Sequence, residues 1–128
     1  MRFMSFVKAG KDDEAGIPPK PELMAAIGKL TEDCMKEGLV VDTGGLLPSA
    51  MGARIKAAKG KVSVIDGPFA EVKELIGGYA VLQADSKAGA IELARRFMQV
   101  HVDVLGDSYD GECEIRQMYD GPDCGGQK

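Results

Sequence analysis

The chain has 128 residues, 45% of them hydrophobic and 28% charged, with a net charge of −4 and a pI near 5.0. Those values fit one folded domain with a core of its own and exclude a disordered chain. The acidic balance, with Lys and Arg scattered, excludes a basic stripe for nucleic acid, and no apolar run approaches the ~20 residues that cross a bilayer.

The first segment, Arg2 to Lys8, carries two phenylalanines and a valine and reads as a strand. It opens like a signal peptide, but its apolar stretch is too short and Lys11-Asp12-Asp13-Glu14 follows without a small-residue cleavage site. Ala9 to Lys20 is polar, with Gly10, Gly16, Pro18 and Pro19, and reads as a loop. Pro21 suits the first turn of a helix. From there Leu23, Ile27, Leu30 and Cys34 recur at helical spacing with Met24 beside them, and Gly38 is the expected C-terminal cap.

Leu39 to Asp42 reads as a strand, and Thr43 to Gly52 as a Gly- and Pro-bearing loop. Arg54 to Ala58 and Lys61 to Ile65 are two short strands joined by a Lys59-Gly60 hairpin turn. Gly78 to Asp85 is another strand, with Tyr79, Val81 and Gln83 on one face and Ala80, Leu82 and Ala84 on the other. Ser86 is an N-cap for a second helix with apolar positions Ala90, Ile91, Ala94, Phe97 and Met98, which places His101 at or beyond its end. Gly106 to Gly111 is a turn region, and Glu112 to Met118 alternates as a final strand with Cys113 and Ile115 facing in.

The order is β-α-β, a hairpin, then β-α-β. Without the hairpin this is the split β-α-β pattern of a ferredoxin-like α+β sandwich. Residues 1–119 form a single domain on this reading, with 120–128 as a Gly-rich tail. Helices cover one sheet face. Both faces of the central strands carry apolar residues, Val81 with Leu82 and Val64 with Ile65, so the bare face calls for a second copy and a homodimer. The three cysteines, Cys34, Cys113 and Cys124, are odd in number and form no Cys-x-x-Cys pair. That pattern points to a reducing, cytoplasmic setting without a disulfide framework or a structural zinc, and no metal or other cofactor is expected.

The segment Asp66-Gly67-Pro68-Phe69-Ala70-Glu71-Val72-Lys73-Glu74-Leu75-Ile76-Gly77-Gly78-Tyr79 resembles the DGPF signature of the YCII-related family, departing only at Val72, where that signature has Thr. The opening Met1-Arg2-Phe3-Met4, the Gly44-Gly45-Leu46 turn and the closing Glu114-Ile115-Arg116 extend the likeness over most of the chain. The resemblance implies a ferredoxin-like fold paired into a dimeric α+β barrel, and an association with sigma-factor regulation. Relatives proposed to be enzymes carry a His–Asp pair with the His in the first helix. Pro21 to Glu37 contains no His, so that proposal does not carry over.

The signature makes Asp66, Gly67, Pro68, Phe69, Lys73, Glu74, Gly78 and Tyr79 the candidate ligand-binding residues. Asp66 is either an acid–base group at a strand end or a local turn residue, and Asp120-Gly121-Pro122 repeats its tripeptide. Glu71, Lys73 and Glu74 line a polar site or form a solvated loop. Gly77-Gly78 reads as a bulge or a close backbone approach, and Tyr79 as a phenol donor or a packing residue. His101, with Asp103 or Asp107 to orient it, is either a catalytic candidate beside Asp66 or a surface cap. Cys113 has no base nearby in sequence. Two functions follow. One is a dimeric binding or regulatory module that holds a small ligand or docks a protein partner through the Asp66–Tyr79 loop. The other is a small-molecule enzyme of isomerase or oxygenase type, which requires Asp66, Tyr79 and His101 to converge on one pocket.

Overall fold

The computed structural model describes residues 1–71 and 74–120. Strand β1 (Arg2–Lys8) is followed by a one-turn helix α1 (Lys11–Glu14), the long helix α2 (Pro21–Lys36) and strand β2 (Val40–Gly45). A 3-10 turn (Ser49–Met51) leads to β3 (Ala53–Ala58) and β4 (Lys61–Asp66). Then come β5 (Ile76–Gln83), helix α3 (Lys87–Leu105), a second 3-10 turn (Gly106–Ser108) and β6 (Cys113–Gln117). Four strands form an antiparallel sheet in the order β2-β5-β1-β6, and β3 pairs only with β4. The fold is α+β and ferredoxin-like, as the split β-α-β pattern predicts.

Alternation along the strands decides which residues the helices cover. Phe3 pairs with Leu82 across β1 and β5, and both are buried against Ala90 of α3. Val40, Ala80, Ala84, Leu93 and Ile115 pack around them. Burying side chains of this size contributes about 1.5–3 kcal/mol each. The intervening residues Met4, Phe6, Tyr79 and Val81 point to the other face of the sheet and stay half-buried.

The helix ends follow local chemistry. Pro21 occupies the first turn of α2. Gly38 takes φ 76°, and the Gly38 and Leu39 amides donate to the Met35 and Cys34 carbonyls, a Schellman closure that answers orphaned helix carbonyls. The Ser86 hydroxyl accepts the Gly89 amide at 3.1 Å and starts α3.

Several sequence expectations are corrected. The segment Ala9 to Lys20 is not all loop, because α1 forms within it and Asp13 accepts the Gly10 amide at 2.8 Å. Val64 and Ile65 do not belong to the central sheet; they lie in the separate β3–β4 ribbon. His101 is neither beyond the helix nor a surface cap. Helix α3 continues to Leu105, and His101 is 7% exposed. The spacing Ala90, Ala94, Phe97, His101 keeps it on the buried stripe. The tail over 121–128, with Cys124, lies outside the described residues.

The ribbon turns through Lys59 and Gly60 at φ 52° and 77°, the positive pair a two-residue hairpin requires. Gly77 is skipped in the pairing of β5 with β1, so the bulge expected at Gly77-Gly78 is present. A Cβ on Gly77 would sit 3.2 Å from the Ala9 Cα, and this close approach is what glycine permits.

Candidate functional site

The signature begins where β4 ends. The Gly67 amide donates to the Gly52 carbonyl at 3.0 Å, closing the root of the ribbon. The Gly67-Pro68 bond is cis. A Cβ on Gly67 would overlap the Ser49 carbonyl oxygen, so the two turns pack backbone to backbone. One residue on, the Phe69 amide donates to the Ser49 hydroxyl oxygen at 3.0 Å. That hydroxyl donates in turn to one Glu14 carboxylate oxygen at 2.6 Å, and the Ser49 amide donates to the other at 2.6 Å. These two donors hold the Glu14 carboxyl below its ordinary pKa. The one-turn helix α1, the Ser49 turn and the signature loop are thus tied by a single hydroxyl.

This relay positions the Phe69 ring. The Arg54 guanidinium, from β3, lies 4.0 Å from the ring centroid, a cation–π contact worth about 0.5–1 kcal/mol at an exposed position. Phe69, Arg54 and Glu14 line an open depression of about 510 Å³ whose walls include Leu46, Leu47, Met51 and Leu75. Glu74 also lines it. The volume suits a small organic molecule. The lining is apolar, with cationic Arg54 and anionic Glu14 as its polar elements alongside Ser49 and Glu74.

Of the signature residues named from sequence, Phe69 and Glu74 reach this depression, while Gly67 and Pro68 form the turn behind it. Lys73 lies outside the described residues. Asp66 is exposed and, among the described residues, its carboxylate takes no hydrogen bond or ion pair. Gly78 lies in β5, where a Cβ would come 3.1 Å from the Gly44 carbonyl oxygen. The Tyr79 ring covers Gly44, and its hydroxyl donates to Asp42 at 3.1 Å. That bond to a carboxylate raises the phenol pKa.

His101 is elsewhere. Its Nδ1 donates to the Phe97 carbonyl at 3.0 Å. The ring meets Phe97 edge-on at 4.7 Å and stacks on Tyr109 at 5.0 Å. Asp103 accepts instead from Gln99, so it does not orient the imidazole. Tyr79 projects from the open side of the sheet and His101 packs on the helix side, while Asp66 is on the ribbon. The three do not converge, and the acid–base arrangement that an enzyme reading needed is not formed. Cys113 and Ser5 share a hydrogen bond of 3.1 Å on the helix side. Among the described residues no cluster of three or more His, Cys, Asp or Glu side chains stands ready to hold a metal ion, and no helix is long and apolar enough to cross a membrane.

Glu14, Ser49 and Arg54 carry no local motif. Glu14 and Ser49 are 35 residues apart and Ser49 and Phe69 are 20 apart, so only the tertiary fold assembles them. No curated protein matches the chain. The model of the YCII-related domain matches residues 1–105, which is most of the sequence, and the chain belongs to the YCII-related family.

Proposed function

We propose that the protein is a small-ligand-binding module, assembled as a homodimer, whose site is the depression between the Ser49 turn, the root of the ribbon and the signature loop. The observation that carries this reading is the Glu14–Ser49–Phe69 relay. It fixes the Phe69 side chain of the signature at the rim of an apolar depression, with the Arg54 guanidinium laid on it. The ligand class that fits is a small organic anion. Its apolar body packs on Phe69, Leu46, Leu47 and Met51, and its carboxylate or phosphate meets the guanidinium, which suits planar anions. The regulatory role linked to sigma factors rests on the family resemblance, and a cytoplasmic setting on the cysteine pattern.

The test is a thermal-shift screen of aromatic and aliphatic carboxylates and phosphates, run on the parent, Arg54→Gln and Phe69→Ala. A ligand that binds only the folded form raises the melting temperature by mass action. A hit lost in both variants places the site here. Hits retained by both variants, or none across the panel, sink the reading.

A further inference from the structure

The β3–β4 ribbon sorts its charges by face. Its cross-strand pairs run without a bulge, with Ala53 opposite Asp66, Arg54 opposite Ile65, Lys56 opposite Ser63 and Ala58 opposite Lys61. Alternation puts Asp66 on one face with Ile55, Val62 and Val64, and puts Arg54, Lys56 and Lys61 together on the other. Cations that are scattered along the sequence are thus gathered, and the ribbon's one carboxylate is turned away from them. Both strands are exposed throughout. Among the described residues, Lys56 and Lys61 form no ion pair.

This basic face opens onto the depression. Arg54 lines it, with its guanidinium over the Phe69 ring. Lys56 stands two residues farther from the root, ~6.6 Å along the strand. Lys61 is the diagonal neighbour of Lys56, roughly 7–8 Å away. The carboxylates of the depression, Glu14 and Glu74, come from α1 and the signature loop rather than the ribbon. The site is therefore acidic on the loop side and basic toward the ribbon.

We propose that the depression takes an organic diphosphate, with the apolar body inside, the first phosphate on Arg54 and the terminal phosphate carried out along the ribbon to Lys56 and Lys61. The second phosphate rests on the small-anion site proposed above and adds where the anionic end of the ligand goes. Like charges set side by side repel, and a bound anion relieves that repulsion. A single carboxylate or phosphate is met by Arg54 and leaves both lysines unused, whereas two phosphates engage the guanidinium as a fork and the ammonium groups as mobile point charges. A long polyanion fits worse. Arg54, Lys56, Lys59 and Lys61 against Asp66 leave the ribbon at +3 within a chain of −4, so the remaining residues carry −7, which repels a nucleic-acid strand running on past the ribbon. The body is either a planar ring at Phe69 or an aliphatic chain on Leu46, Leu47 and Met51, and the test separates the two.

The experiment is calorimetric titration of the full-length protein, without divalent cations, comparing AMP with ADP and geranyl phosphate with geranyl diphosphate. For whichever body binds, the second phosphate is expected to tighten binding about tenfold or more, the gain of a charge-assisted contact. Lys56→Gln with Lys61→Gln is expected to return the diphosphate to the affinity of its monophosphate, with an unchanged circular dichroism spectrum because both side chains are exposed. Arg54→Gln is expected to weaken both members of the pair. A diphosphate no tighter than its monophosphate, or a double lysine variant that keeps the parent's preference, overturns the second phosphate and leaves the small-anion site standing. Inorganic pyrophosphate binding as tightly as the organic diphosphates detaches the lysines from the depression and overturns it as well. If none of the four ligands binds while the carboxylate screen gives a hit, the diphosphate is overturned alone; if neither experiment gives binding, both readings are.

Discussion

At the residue scale, the same substitution is expected to have opposite signs at two glycines. A Cβ on Gly67 meets the Ser49 backbone, which cannot give way without disturbing the Glu14 relay, whereas nothing lies within 4 Å of a Cβ on Gly28 in α2. Gly67→Ala should therefore destabilise by about 1–3 kcal/mol, as overpacking does, and Gly28→Ala should stabilise by about 0.5–1 kcal/mol through helix propensity. Urea unfolding of both variants checks the pair; equal effects would mean that the turn is not close-packed. The relay also has a pH signature. The Glu14 carboxyl has its pKa lowered in the folded state by Ser49. Its contribution is present above the ordinary glutamate value of ~4.3 and is lost as pH falls through the lowered folded value. Comparing the unfolding midpoint of the parent with that of Glu14→Gln should give a gap that is constant from neutral pH down to about pH 5 and closes below it. A gap independent of pH throughout would remove the carboxylate from the relay.

At the scale of elements, α3 carries the clearest contrast between what was legible and what was not. Its start was legible because Ser86 caps it, and Ser86→Ala should cost about 0.5–2 kcal/mol in thermal unfolding. Its length was readable too: the stripe Ala90, Ala94, Phe97 extends by one step to His101, and Gly106 at φ 69° supplies a stop. Treating the lone histidine as polar ended the helix early, although an imidazole whose Nδ1 bonds the carbonyl one turn back can sit on the apolar side. His101→Ala is accordingly expected to lower the melting temperature and to leave ligand affinity at the Arg54–Phe69 depression unchanged. A loss of affinity in a variant that stays folded would return His101 to the candidate site.

For the molecule as a whole, the sheet was legible because the aromatic and β-branched content of Arg2–Lys8 and the period-two alternation at Cys113–Gln117 are local signals, as was the Lys59-Gly60 hairpin. The depression was not, because Glu14, Ser49, Arg54 and Phe69 meet only after β2, the ribbon and the signature loop have been placed. The signature is local, but nothing in it shows that its turn residues pack on the Ser49 turn and position Phe69. The open side of the sheet ties these scales together. Val81 sits there opposite Met4 on β1 and Asp42 on β2, half-buried in a single chain. If a second copy covers this face, the parent's melting temperature should rise with protein concentration, since association stabilises only the folded form. Val81→Lys should abolish that dependence and give the monomer mass in sedimentation. The helix-side core of Phe3, Leu82 and Ala90 lies on the other face, so the variant should keep its secondary structure by circular dichroism. A Val81→Lys protein that remains a dimer with the parent's dissociation constant would place the interface elsewhere, because desolvating an ammonium within an apolar contact costs several kcal/mol, far more than a dimer could absorb unnoticed.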